Sequence, residues 1–141
     1  MFPFEFLDSG QSSPAAKPEP DEAARLDLIG ELLKTRLSAS GAYAPVDLAA
    51  AMPAIAKAPA LRDCQRCAEE IARGAGAEIA VVGYVQKVSN LILNINITIS
   101  NAHSGQVFAA ASADIRGNTD ESWTRGVEWL VKNRLLAKKQ P

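Results

Sequence analysis

Residues 90–100, NLILNINITIS, alternate almost perfectly between apolar and polar side chains. Leu91, Leu93, Ile95, Ile97 and Ile99 fall on one side, and Asn94, Asn96 and Thr98 on the other. A period of two predicts a strand with one buried face. Just upstream, EIAVVGYV (78–85) is a near-continuous apolar run, as expected of a central strand covered on both faces. NAHSG (101–105) predicts a hairpin turn, and QVFAAASADI (106–115) returns as the next strand. MFPFEFLD at the start places Phe2, Phe4 and Phe6 on one strand face. AYAPVD (42–47) reads as a short strand, which Pro45 confines to an edge.

Helical spacing accounts for most of the rest. Leu26, Ile29, Leu33 and Leu37, widened by Leu28 and Leu32, predict a helix from Asp21 to about Ser38, with Gly41 at its exit. Asp63 is a good N-cap for a second helix whose inner face carries Cys64, Cys67, Ala68, Ile71 and Ala72, ending at the glycines of GAG. Thr119 or Asn118 caps a last helix running to about Leu136, with Trp123, Val127, Leu130, Val131 and Arg134 in one stripe. Residues 9–20 are a proline-rich surface loop, and 48–62 an Ala/Pro-rich loop with one helical turn. The order is β-α-β-α-β-β-β-α: a single layered α/β domain over residues 1–137, followed by a short tail at 138–141. Its mixed sheet has helices packed on it, right-handed crossovers early and an antiparallel meander at the end.

Composition changes this picture little. The net charge of −1 sets up no field that would recruit nucleic acid or an anionic membrane surface. The ends differ: residues 1–31 hold seven acids against two bases, and residues 116–141 six bases against three acids. Basic residues suit the C-terminus of a helix. No apolar run approaches the roughly 20 residues of a membrane span. Because Met1 already lies in a strand-like stretch, the chain is expected to have lost a segment upstream, and the absence of a visible signal peptide carries little weight.

PFEFLD, SGAYAPVD, GAEIAVVGYVQKVSNLILNINITI and SGQVFAAASADIRGNTDESW form a connected pattern over nearly the whole chain. It resembles a family of uncharacterised bacterial proteins, usually predicted to be exported, with CxxC before the central strand. More distantly, the layout is similar to the amino-terminal domain of TolB and to modules of the curli secretion protein CsgG and the peptidoglycan-synthase activator LpoB. The resemblance implies a non-catalytic periplasmic or secreted module, without cofactor, that binds another envelope protein. The sequence departs from those modules in carrying CxxC and in lacking a lipidated Cys near its start.

The cysteines decide between chemistries. A structural zinc site wants four ligands, whereas Cys64 and Cys67 have only His103 to join them. A thioredoxin-type pair follows a strand directly, but IAKAPALRD ahead of Cys64 reads as loop. A local disulfide in an oxidising compartment is the leading reading. Thiol–disulfide exchange and a buried reduced pair in a cytoplasmic protein remain open beside it. No catalytic residue is assigned, since Ser89 has no His near it in sequence.

Two further groups stand out. A meander brings QKVSN (86–90) and IRGNTDE (115–121) to the same sheet end, gathering Lys87, Ser89, Asn90, Arg116, Asn118 and Asp120. They form a candidate partner or small-ligand site, although helix capping also uses Asn118, Thr119 and Asp120. Trp129 lies roughly 120° from the centre of the last apolar stripe, which makes it a candidate exposed anchor.

Overall fold

The computed structural model describes residues 1–9, 17–64 and 66–136. In chain order they form β1 (Glu5–Asp8), α1 (Pro20–Ala39), α2 (Met52–Lys57), α3 (Cys67–Gly74), β2 (Ile79–Ser89), β3 (Ile92–Asn101), β4 (Val107–Ile115) and α4 (Asp120–Leu130). Short 3-10 turns cover Ala49–Ala51 and Leu61–Asp63, and a π-helical turn, Val131–Leu135, extends α4. The expected layered α/β class and the closing meander are both present. The sheet is mixed and four-stranded, in order β1-β2-β3-β4. β1 runs parallel to β2, and the other pairs are antiparallel.

Residues 42–47 are not a strand. Tyr43 packs against the α1 side of the molecule, whereas Val46 and Leu48 pack against the opposite cluster. Asp47 Oδ1 accepts the Ala49 N–H (2.9 Å), which starts the following 3-10 turn. The apolar residues there fill space between two layers instead of presenting one pleated face. β1 and β2 are consequently direct neighbours.

One sheet face carries the main core. Val81 and Val85 of β2, Leu93, Ile95, Ile97 and Ile99 of β3 and Ile115 of β4 pack against Ile29, Leu33 and Leu37 of α1 and Trp123, Val127 and Leu130 of α4. The alternation of β3 therefore reads directly into burial, with each buried Ile or Leu stabilising by about 1.5–3 kcal/mol. Leu91 leaves that row. It lies in the Asn90–Leu91 turn and is 71% exposed, because β2 and β3 run on to Ser89 and Ile92. The opposite face holds a smaller cluster of Phe2, Leu61, Ala68, Ala72, Ala77, Ala80 and Ala102. Phe2 belongs there, while Phe4 and Phe6 contribute to the main core. Asn94 and Asn96, also on this second face, are half-buried and bonded to each other (2.6 Å). The loop expected over residues 9–20 lies largely outside the described residues.

Helix ends follow local chemistry. Pro20 opens α1, and Glu22 Oε1 accepts the Glu19 N–H (2.8 Å). Thr119 Oγ1 caps α4 by accepting the Ser122 N–H (3.0 Å). α3 starts at Cys67, not after Asp63. The backbone at Arg66 takes φ 72°, a left-handed conformation that a continuing helix cannot contain. Arg134 is exposed, and Leu135 takes the inward position, since the wider π turn shifts the register.

Candidate functional site

Most of the polar residues expected to gather at one sheet end do meet, around a residue from α1. Glu22, only 3% exposed, accepts from Lys87 Nζ (2.7 Å) and from Asn118 Nδ2. Asn118 Nδ2 also donates to Asn90 Oδ1 (3.2 Å). Arg25, one helical turn on, donates to Asp120 Oδ1 (2.8 Å) and Asn118 Oδ1 (3.1 Å), and its guanidinium lies over the Trp123 ring. Ser89 serves the turn by accepting the Leu91 N–H (3.2 Å). Burial pushes the Glu22 pKa up, but the hydrogen bonds from Lys87, the Glu19 N–H and Asn118 outweigh it and leave the carboxyl below its usual range.

Glu22 and Arg25 were not among the expected site residues. Glu22 sits seven positions before Ile29 and four before Leu26, on the apolar stripe of α1. A carboxylate in that stripe has to find a buried donor, and this was the available signal.

The arrangement satisfies itself. Lys87, Asn90, Asn118 and Asp120 each bond to another protein group, and together they clamp the starts of α1 and α4 to the β2–β3 turn. No nucleophile–base pair forms there. His103 lies at the other end of the sheet, where its N–H donates to Asn101 Oδ1 (2.8 Å). Among the described residues, no three His, Cys, Asp or Glu side chains come together as metal ligands.

Arg116 stands outside the clamp. It is exposed and makes no ion pair among the described residues. It lines an open groove between the outer edge of β4 and α4, together with Ser112, Asp114, Ser122, Arg125 and Trp129. The groove holds about 450 Å³. Trp129 is 45% exposed, with the Arg134 guanidinium 5.5 Å from its ring centre. Among the described residues β4 is an edge strand, paired only with β3. Val107 and Phe108 at its start are also exposed, at 52% and 46%.

Cys64 and Cys67 occupy the opposite end of the sheet. They are joined as a disulfide, with Cα atoms 5.5 Å apart, a normal separation for such a pair. Arg66 Nη2 donates to the His103 carbonyl (3.2 Å), Arg73 Nη1 to the Ala102 carbonyl (3.0 Å), and Ser100 Oγ to Glu69 Oε2 (2.6 Å). The pair thus lies in a segment fastened to the β3–β4 turn. The helix N-terminus falls on Cys67, the second cysteine of the pair, and not on Cys64.

Residues 1–135 match the DUF3280 family, described as "Protein of unknown function (DUF2380)". The chain belongs to that family. Among solved structures, this DUF3280 chain is similar to the C-terminal domain of LpoB from Salmonella enterica, at TM-score 0.54 and 15% identity, covering 80% of this chain and 77% of that one. The LpoB C-terminal domain from Escherichia coli gives TM-score 0.53 and 17% identity, with the same coverage of 80% and 77%. Lipoprotein GNA1162 from Neisseria meningitidis gives 0.48 and 14%, over 83% and 79%. At these identities the LpoB likeness is one of fold. No match was found among curated proteins. No described helix is long and apolar enough to cross a membrane.

Proposed function

We propose that this chain is a non-enzymatic accessory module, one domain over residues 1–137, that is exported and binds another envelope protein. The observation that carries the reading is the placement of a half-exposed Trp129 and Arg116, which makes no ion pair among the described residues, beside the outer edge of β4. Aromatic and Arg side chains dominate the energetics of protein interfaces. The fold shared with LpoB domains and the disulfide, at home in an oxidising compartment, support the envelope setting. The groove residues Arg116 and Trp129 are the contacts of this reading. Lys87, Ser89, Asn90, Asn118 and Asp120 hold the adjoining loops in place.

The test places a photo-crosslinking amino acid at position 129 or, as a control, at the exposed Leu28, in the native host. Crosslinks to one envelope protein from position 129 and none from position 28, weakened by Arg116→Ala, support the module. Equal crosslinking from both positions, or crosslinks only to cytoplasmic proteins, overturns it. Alkylation of the thiols in fractionated cells checks the compartment: an oxidised Cys64–Cys67 pair in the periplasm is expected.

A further inference from the structure

Resting on that reading of the β4–α4 surface, we infer that its partner is an extended segment that adds to the sheet as a strand beside β4 and carries an acidic side chain two residues from an apolar one. β4 runs for nine residues, from Val107 to Ile115, with no proline. Edge strands are commonly blunted by proline, charge or cover. Among the described residues, Asp114 and the register shift opposite Ile99/Ser100 are the only such features along it. The backbone groups on its outer side are a template for another chain, and strand addition is an established mode of peptide recognition.

The groove wall sets the side-chain preference. Arg125 and Trp129 are one turn apart on α4, so they are spaced by about 6 Å along the helix axis. Same-face residues of an extended strand repeat at roughly 6.6 Å. One face of the incoming strand can therefore set an apolar side chain against Trp129 and an acid against Arg125. The rim favours the acid: Arg116 and Arg125 line it against Asp114 alone. Arg125 is only weakly engaged, with its Glu121 partner 3.5 Å away and the two side chains 77% and 75% exposed. A second copy of β4 carries a single acid, Asp114, with Ser112 and Arg116 two residues to either side, so it pairs that acid with a base and offers no apolar neighbour for Trp129. The charge pattern thus selects an acidic partner segment over self-pairing.

The experiment titrates isotope-labelled protein with a capped peptide, Ser-Val-Thr-Glu-Thr-Val-Ser, to millimolar concentration and follows amide and indole resonances. Shifts of the Val107–Ile115 amides and the Trp129 indole are expected. Trp129→Ala and Arg125→Glu should weaken binding, as should lysine in place of the peptide glutamate. Methylating alternate peptide nitrogens on the bonding edge should weaken it by about fivefold per blocked amide. Unmoved β4 amides, indifference to N-methylation, or β4 shifts that depend on protein concentration without peptide would each overturn strand addition. If crosslinking from position 129 persists in such a case, the surface reading stands and only the strand mode is wrong. Loss of both sinks both.

Discussion

Lys87 Nζ lies 2.7 Å from Glu22 Oε2, joining the first turn of α1 to the end of β2 across 65 residues of sequence. Their side chains are 14% and 3% exposed. The pair could not survive burial on charge attraction alone, because desolvating two ions is expensive. The Asn118 amide and the Glu19 N–H occupy two further acceptor positions of the carboxylate. This clamp sets where the β4–α4 loop sits, and with it the entry to the groove beside Arg116.

Removing one partner should therefore hurt more than removing both. Lys87→Ala leaves a buried carboxylate short of its cation and should destabilise the fold by roughly 3 kcal/mol. The double variant Glu22→Leu/Lys87→Met should recover most of that loss. Urea unfolding of both variants measures the difference. A Lys87→Ala protein as stable as the parent would mean that water screens the pair.

The same carboxylate gives a pH signature. The folded-state pKa of Glu22 is lowered from the ordinary 4.5, so its contribution is complete above that value and is lost as the pH falls through the lower, folded-state one. Stability should therefore drop on acidification more steeply in the parent than in Glu22→Gln, which keeps the shape but cannot titrate. Urea midpoints taken from about pH 7 to about pH 3 test the slope. Parallel curves would remove Glu22 from the acid response.

The meander was legible because β3 buries one face under two helices, so its alternation reports its surroundings directly. The strand expected at residues 42–47 failed on the same principle. Tyr43 and Val46 are apolar because they fill space between layers, and a six-residue window carries no mark of that difference. The start of α3 was hidden for another reason. Asp63 has cap chemistry, but the left-handed backbone at Arg66 is a tertiary outcome, in which the guanidinium reaches the His103 carbonyl. At the candidate site, the loops were brought together as expected from the connectivity. Glu22 was missed because its partners come from 65 and 96 residues away.

Reducing the disulfide should loosen one end of the molecule only. Closing so short a loop stabilises by about 2 kcal/mol at most on chain-entropy grounds. Reduction should therefore lower stability by no more than that. Faster amide exchange should be confined to residues 61–74 and the turn at 101–105, which Arg66 and Arg73 fasten to this segment. Hydrogen exchange with and without reductant is the measurement. A change spreading into α1 or α4 would show that the pair supports the whole core.

Two helical glycines should respond to alanine in opposite directions. Gly74 ends α3 with nothing within 4 Å of where a Cβ would stand, so Gly74→Ala should stabilise by about 0.5–1 kcal/mol through helix propensity and a less flexible unfolded chain. At Gly126 a Cβ would stand 2.8 Å from Ile115 Cγ2 and 2.9 Å from Ile95 Cδ1. Ile95 is fully buried and Ile115 nearly so, and Ile115 Cγ2 sits at the branch of a β-branched side chain whose χ1 is stiff, so a small rotation at a chain end does not clear it. Overpacking of about 1–3 kcal/mol then outweighs a propensity gain of about 1 kcal/mol, and Gly126→Ala should be net destabilising. The strain is relieved by moving α4 away from β4, which widens the groove that Trp129 borders. Gly126→Ala should therefore also weaken crosslinking from position 129, whereas Gly74→Ala should leave it unchanged. If Gly126→Ala unfolds more easily yet crosslinks as before, the spacing of α4 against β4 is not what forms the binding surface.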